Sequence, residues 1–211
     1  MAGLYVVIEG IEGSGKTTHA CMLHDYLSGR GVHTLLVREP GTTKLGEKIR
    51  SLLLSTEIEL CPLEEFLLFS TARSALHNQI IIPACAQGKV VISDRNYLSS
   101  VAYQGHGAGL SLPFIYTITA EVTQGNKPDF TILLDAALEK VLPLIRKKKS
   151  GERFEQKDDN FFARIHQGYH SLKNFADFVV PYDSGGIERM QSQIRGAVES
   201  RLEEKQTIQN P

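Results

Sequence analysis

The chain has 211 residues, of which 42% are apolar and 22% charged, and a formal net charge of −1 at pH 7. That length suits a single α/β domain spanning 1–211 around one core, and the near-neutral balance gives no global basic field for nucleic acid or an anionic membrane surface. Cys21, Cys61 and Cys85 are widely spaced with no CxxC pair, which excludes a disulfide framework or zinc site, fits a reducing cytoplasm, and leaves each expected as a small buried apolar residue.

In chain order, residues 4–8 read as a buried strand rather than a signal peptide, because no basic segment precedes them and Glu9 cuts the apolar run. A Gly-rich turn and a helix over about 16–27 follow, then a strand at 34–37 and helical patterns at 44–54 and 63–87. Further strands are expected at 89–93, 130–134 and 178–180, with helices around 113–122, 138–146, 158–175 and 187–202, and a frayed polar tail at 203–211. No apolar stretch approaches the ~20 residues of a transmembrane helix. Continuous apolar strands alternating with helices imply a parallel sheet covered on both faces, with ligands at the carboxyl ends of its strands.

Gly10-Ile11-Glu12-Gly13-Ser14-Gly15-Lys16-Thr17 matches GxxxxGK[ST] and sits between an expected strand and helix. Its glycines let backbone amides converge on phosphate oxygens, and the helix start adds partial positive charge. Lys16, expected in a solvent-facing cradle, should reach the β- and γ-phosphates of ATP, and the Thr17 hydroxyl should sit on Mg²⁺. Arg38 and Arg95 each lie just past an expected strand end, where they face the ligand crevice, and Asp94 ends an apolar strand, the usual position of a carboxylate holding Mg²⁺ through water. Two arginines and a P-loop lysine suffice to hold two sets of phosphates facing each other, and phosphoryl transfer needs little beyond positioning and charge neutralisation.

Four patches carry a family resemblance: Glu9-Gly10 at the P-loop, Arg38-Glu39-Pro40-Gly41, Leu68-Phe69-Ser70-Thr71-Ala72-Arg73, and Ser93-Asp94-Arg95 with Ser99-Ser100-Val101-Ala102-Tyr103-Gln104-Gly105. Together they resemble thymidylate kinases over residues 4 to about 169. The resemblance implies a five-stranded parallel sheet with helices on both faces, a homodimer, and transfer from Mg-ATP to dTMP. It also implies roles. Arg38 clamps the acceptor phosphate and Arg95 bridges towards the transferred group. Phe69 stacks on thymine, Arg73 donates to a thymine carbonyl, Ser100 and Gln104 lie beside the base or sugar, Tyr103 packs against the deoxyribose, and Glu9 holds the sugar 3′-hydroxyl or neighbouring phosphate ligands. Ser99 is expected only to cap a helix.

The densest basic run is Arg146-Lys147-Lys148-Lys149-Ser150-Gly151-Glu152-Arg153. Some thymidylate kinases carry a P-loop arginine where Gly13 stands here, so this chain resembles the version whose charge comes from a basic lid, at about 146–157, with Arg146, Lys147, Lys148, Lys149 and Arg153 as candidates, Arg146, Lys148 and Arg153 first among them. Two departures stand out: Thr42 replaces a usual glycine, and Asn96 follows Asp94-Arg95 where tyrosine or histidine is usual. Among rivals, Asn126-Lys127-Pro128-Asp129 looks like a guanine-reading motif, but it precedes rather than follows a strand, and no aspartate-x-x-glycine follows the third strand. A non-catalytic nucleotide module would not need acceptor-side arginines. Another nucleoside-monophosphate or deoxynucleoside kinase is the remaining alternative.

Overall fold

The computed structural model describes residues 3–147, 153–183 and 185–209. Five strands, β1 (Leu4–Gly10), β2 (Thr34–Arg38), β3 (Val90–Asp94), β4 (Phe130–Asp135) and β5 (Phe178–Pro181), form one parallel sheet in the order β2-β3-β1-β4-β5. Its faces are covered by α1 (Lys16–Gly29), α2 (Lys44–Leu54), α3 (Pro62–Leu76), α4 (Ile82–Ala86), α5 (Tyr97–Ser100), α6 (Leu112–Val122), α7 (Leu138–Lys147), α8 (Asp159–Ser171) and α9 (Ile187–Gln209). Every residue of β1 is buried, which explains its unbroken apolar run. Leu4, Val6 and Ile8 meet Ala20, Leu23 and Leu27 of α1 and Met190, Ile194 and Val198 of α9. Tyr5 and Val7 point the other way, into Leu76, Ile81 and Ala84. Burying each such Leu or Ile is worth about 1.5–3 kcal/mol.

Local signals set the helix starts. Thr43 Oγ1 accepts from Gly46 N at 2.9 Å ahead of α2, Glu64 Oε2 accepts from Cys61 N at 2.8 Å ahead of α3, and Asp158 Oδ1 accepts from Phe161 N at 2.7 Å ahead of α8. Helical turns widen to π geometry at His77–Ile81, between α3 and α4, and at Val101–Gly107, after α5.

Three expectations are corrected. Cys21 and Cys61 are exposed and Cys85 is half-buried, because Cys21 lies on the outer side of α1 and Cys61 caps α3. The polar segment after residue 202 is not frayed through its described part: α9 runs to Gln209, held where Lys205 Nζ meets Asp129 Oδ1 at 2.7 Å. The chain is also helical from Tyr97 to Gly107, where the sequence pattern predicts no element. Among the described residues no helix is long and apolar enough to cross a membrane.

The register builds the site. Ile8 of β1 and Arg38 of β2 both pair with Asp94 of β3, so one row later Glu9, Glu39 and Arg95 emerge together at the carboxyl edge. The chain leaves β1 for β2, then returns to β3, while β4 lies on β1's other side, and this reversal opens the crevice.

Candidate active site

The P-loop joins β1 to α1. Gly10 has φ 149°, and a Cβ there would stand 2.8 Å from both the Leu134 carbonyl and Ser14 Oγ, so only glycine fits. Gly13, at φ 80°, lies beside Val141 and Ile145 of α7. Lys16 is not solvent-facing as expected: it is 5% exposed and its Nζ donates to the Ile11 carbonyl at 2.7 Å. Burial, and then the neighbouring Arg95 charge, lower its pKa to about 8. Thr17 Oγ1 donates to Asp94 Oδ2 at 2.5 Å, and the buried Asp94 Oδ1 has no partner. The two expected metal-side residues are therefore adjacent, with one carboxylate oxygen available.

Arg95 stands in the left-handed region, at φ 77°, unusual for a side chain this large. Its guanidinium is held on four sides. Nη2 donates to Glu12 Oε2 at 2.7 Å, Nη1 donates to Ser99 Oγ at 2.9 Å and to the Gly10 carbonyl at 3.3 Å, and the Tyr103 ring lies 5.3 Å away. Arg95 thus touches the P-loop backbone and the neighbouring cleft at once.

That cleft is lined by Glu12, Arg50, Phe69, Arg73, Arg95, Ser100, Tyr103 and Gln104, together with Phe154 and Phe162. All the residues expected around the base and sugar except Glu9 gather here. Arg73 is almost fully buried; its Nη2 contacts Glu39 Oε1 at 2.5 Å and donates to Ser100 Oγ at 2.8 Å, while Nε and Nη1 have no partner. Phe69 is half-buried, 6.3 Å from the Phe154 ring. The Tyr103 hydroxyl accepts from Glu12 N at 3.1 Å, which fastens the cleft wall to the P-loop. Glu9 is fully buried behind them, accepting from Asn96 N, from Ser99 N and Oγ, and from the Tyr169 hydroxyl. Burial pushes its carboxyl up, opposed by Arg95.

Ser99 is no N-cap. Asn96 caps α5, its Oδ1 accepting from Tyr97 N and its Nδ2 donating to the Tyr5 hydroxyl at 2.9 Å, which leaves the Ser99 hydroxyl for Glu9. The other departure is also accommodated. Thr42 takes φ 68°, a conformation suited to glycine, and its Oγ1 accepts from Arg38 N at 2.9 Å. Arg38 pairs with Glu47 at 2.8 Å and lines a second hollow with Thr17 and Asp94.

Sequence reasoning missed several cleft residues. The Glu12 side chain was read only as part of the P-loop. Arg50 bonds the Pro40 carbonyl at 3.2 Å and lines the cleft. Glu65 accepts from Gln104 and Arg153, and its signal was spacing: it stands four residues before Phe69 and eight before Arg73 on one face of α3. Of the basic run, Arg146 bonds Asp159 at 2.6 Å and the Lys157 carbonyl at 2.7 Å, and Arg153 reaches Glu65 at 2.9 Å. Lys148 and Lys149 lie outside the described residues.

A phosphate-binding loop at the topological switch point, facing a second cleft across a shared arginine, defines a P-loop phosphotransferase of the nucleotide-kinase type. The family model described as thymidylate kinase matches residues 8–194. Relatives named thymidylate kinase include one from Deinococcus radiodurans, 40% identical over 203 residues covering 94% of this chain and 98% of its own, and one from Halothermothrix orenii, 39% identical and covering 85% and 88%. The crystal structure of a thymidylate kinase from Ehrlichia chaffeensis superposes with a TM-score of 0.77 at 29% identity, over 94% of this chain and 99% of that one. The chain belongs to the thymidylate kinase family.

Proposed function

We infer that this chain transfers the γ-phosphoryl group of ATP to dTMP, giving ADP and dTDP, a step towards dTTP. The family assignment carries the substrates. The observation that carries the mechanism is Arg95, which contacts the P-loop at Gly10 and lines the acceptor cleft. A group in that position can hold charge that migrates from one nucleotide to the other.

In this reading, backbone amides of Gly10 to Thr17 cradle the ATP phosphates and Lys16 neutralises the β- and γ-oxygens. Arg50, which lines the acceptor cleft, holds the dTMP phosphate, with Arg38, which lines the second hollow, as the other candidate. Phe69 stacks on the base, Arg73 donates to it through its unpartnered nitrogens, and Ser100 and Gln104 complete the polar edge. Tyr103 crowds the sugar, with Glu12 and Glu9 behind it. Arg146, Arg153 and Lys148 remain the candidates for further positive charge over ATP. Mg²⁺ fits the Thr17–Asp94 pair, since Asp94 Oδ1 has no partner; among the described residues no group of three or more His, Cys, Asp or Glu gathers, so phosphate oxygens and water would complete its shell. Bound there, Mg²⁺ would neutralise phosphate charge. No side chain need be phosphorylated, because in-line transfer between two bound nucleotides requires no protein nucleophile.

The test uses [γ-³²P]ATP in a single turnover. Label should appear in dTDP and none on protein. Label retained by the protein, or none in dTDP with dTMP saturating, contradicts the reading. Arg73→Ala should raise the dTMP KM by roughly tenfold or more and leave the ATP KM near its wild-type value.

A further inference from the structure

We propose that Glu65 orients the Gln104 amide and thereby sets the choice between a thymine-type and a cytosine-type base, an inference that rests on the acceptor-cleft reading above. Glu65 is 5% exposed, and its carboxylate accepts from two sides: Gln104 Nε2 donates to Oε1 at 2.6 Å and Arg153 Nη2 donates to Oε2 at 2.9 Å. Gln104 is itself 1% exposed and lines the cleft.

An ionised carboxylate can only accept. The end of the Gln104 amide that meets Glu65 is therefore its NH₂. The carbonyl oxygen is the end left for the cleft. Arg73, which lines the same cleft, offers only donors, two of them without a partner in the fold. The cleft thus presents donors from Arg73 and one acceptor from Gln104. Thymine and uracil show a carbonyl acceptor beside an N–H donor, which complements that pattern. Cytosine shows an amino donor beside a ring-nitrogen acceptor, which opposes it at both positions. A buried site built for one pattern rejects the other strongly, because each mismatched group loses water without gaining a partner.

Arg153 makes the orientation testable. In Glu65→Gln the new amide has a single oxygen, and Arg153 requires an acceptor, so that oxygen turns to Arg153. The NH₂ of the new side chain then faces Gln104, whose carbonyl turns towards it and whose own NH₂ is left for the cleft. The reader is reversed without changing its identity.

The experiment is kcat/KM for dTMP and for dCMP with saturating Mg-ATP. Glu65→Gln should lower the dTMP-to-dCMP ratio by at least roughly a hundredfold. Arg153→Met should lower turnover yet keep the wild-type ratio, and adding it to Glu65→Gln should restore part of the lost selectivity by freeing the amide to turn back. An unchanged ratio in Glu65→Gln overturns the proposal, as does a loss of selectivity in Arg153→Met alone. Gln104→Met separates the two levels. If it leaves the dTMP KM unchanged, the cleft reading itself is wrong; if it raises that KM while Glu65→Gln keeps the ratio, only the role of Glu65 falls. Should Glu65→Gln not fold, wild-type NMR decides. The Gln104 side-chain amide protons, identified by their absence in Gln104→Met, should exchange slowly in the dTMP complex, and exchange at the rate of an exposed amide contradicts the proposal.

Discussion

Lys16 concentrates the residue-scale chemistry. Its ammonium is buried, and burial has lowered its pKa to about 8. Bound polyphosphate favours the charged form and raises that pKa, so ATP binding takes up a proton above pH 8. Affinity for ATP should be full below pH 8 and fall as pH rises through it, by up to about tenfold per unit until the pKa of the complex is reached. Titration calorimetry from pH 7 to 9.5 checks this, and a flat Kd contradicts it. Lys16→Ala should cut kcat by roughly a hundredfold or more. It should not lower the melting temperature, since removing a buried charge also removes its desolvation cost. Much of this site was legible as residues. The P-loop, Arg38, Arg73, Asp94 and Arg95 sit in short motifs whose spacing carries their chemistry. Tyr169 was not legible, because its partner Glu9 lies far along the chain; Glu65 offered only its spacing on α3, its partners Gln104 and Arg153 being distant in sequence, and Arg50 sits in no motif. Lys16 lies in the P-loop as its motif requires but is buried rather than solvent-facing, since a motif specifies a charge and not its depth.

At the scale of elements, the join between α3 and α4 carries His77, fully buried against the Tyr5 ring at 5.6 Å with no hydrogen-bond partner on either nitrogen. Burial, helped by the Arg73 charge, lowers its pKa to about 4 from an ordinary 6.5. Between those values the unfolded chain binds the proton and the folded one does not. This group's contribution is therefore fully present above pH 6.5 and declines as pH falls towards 4, by about 3 kcal/mol in all. Urea unfolding at pH 7 and pH 4.5 should show the decline, and His77→Leu should flatten it; equal pH slopes in both proteins contradict the assignment. A second joint lies at the start of β4. Asp129 accepts from Tyr5 N at 2.8 Å and pairs with Lys205 of α9. Asp129→Ala should cost about 1–3 kcal/mol, chiefly for the stranded backbone N–H of Tyr5, with kcat unchanged because this is the amino end of the sheet. Strands were legible because burial on both faces writes them as continuous apolar runs. The helix from Tyr97 to Gly107 was not, because its start depends on Asn96 and its turns widen to π geometry under tertiary contacts. The length of α9 was misread because its last turns are polar and held by Asp129.

At the scale of the molecule, β1 to β5 share one sheet and apolar clusters cover both faces of β1, so we expect the chain to unfold as one cooperative unit. The outer sides of α3 and α6 leave Leu63 and Leu67 at 43% exposure and Phe114 at 36%. We propose that these faces pair two copies in a homodimer. Sedimentation at micromolar concentration should report twice the 23.4 kDa chain mass, and Leu67→Glu should shift it to monomer; a wild-type monomer removes the proposal. The architecture was readable from alternating strands and helices, because a parallel sheet leaves few ways to cover both its faces. The substrate was readable only through the family's motifs, since a cleft's outline forms from residues of α2, α3, α5 and the turns beyond. In the proposed function this cleft takes dTMP, and Tyr103, 8% exposed and tied to Glu12, leaves no room for a 2′-hydroxyl. Steady-state kcat/KM with Mg-ATP for dTMP against the ribonucleotides TMP and UMP measures it most directly. A preference for dTMP of at least roughly tenfold is expected, reduced in Tyr103→Ala; equal efficiency with UMP, or a better substrate among other monophosphates, would contradict this assignment of the cleft.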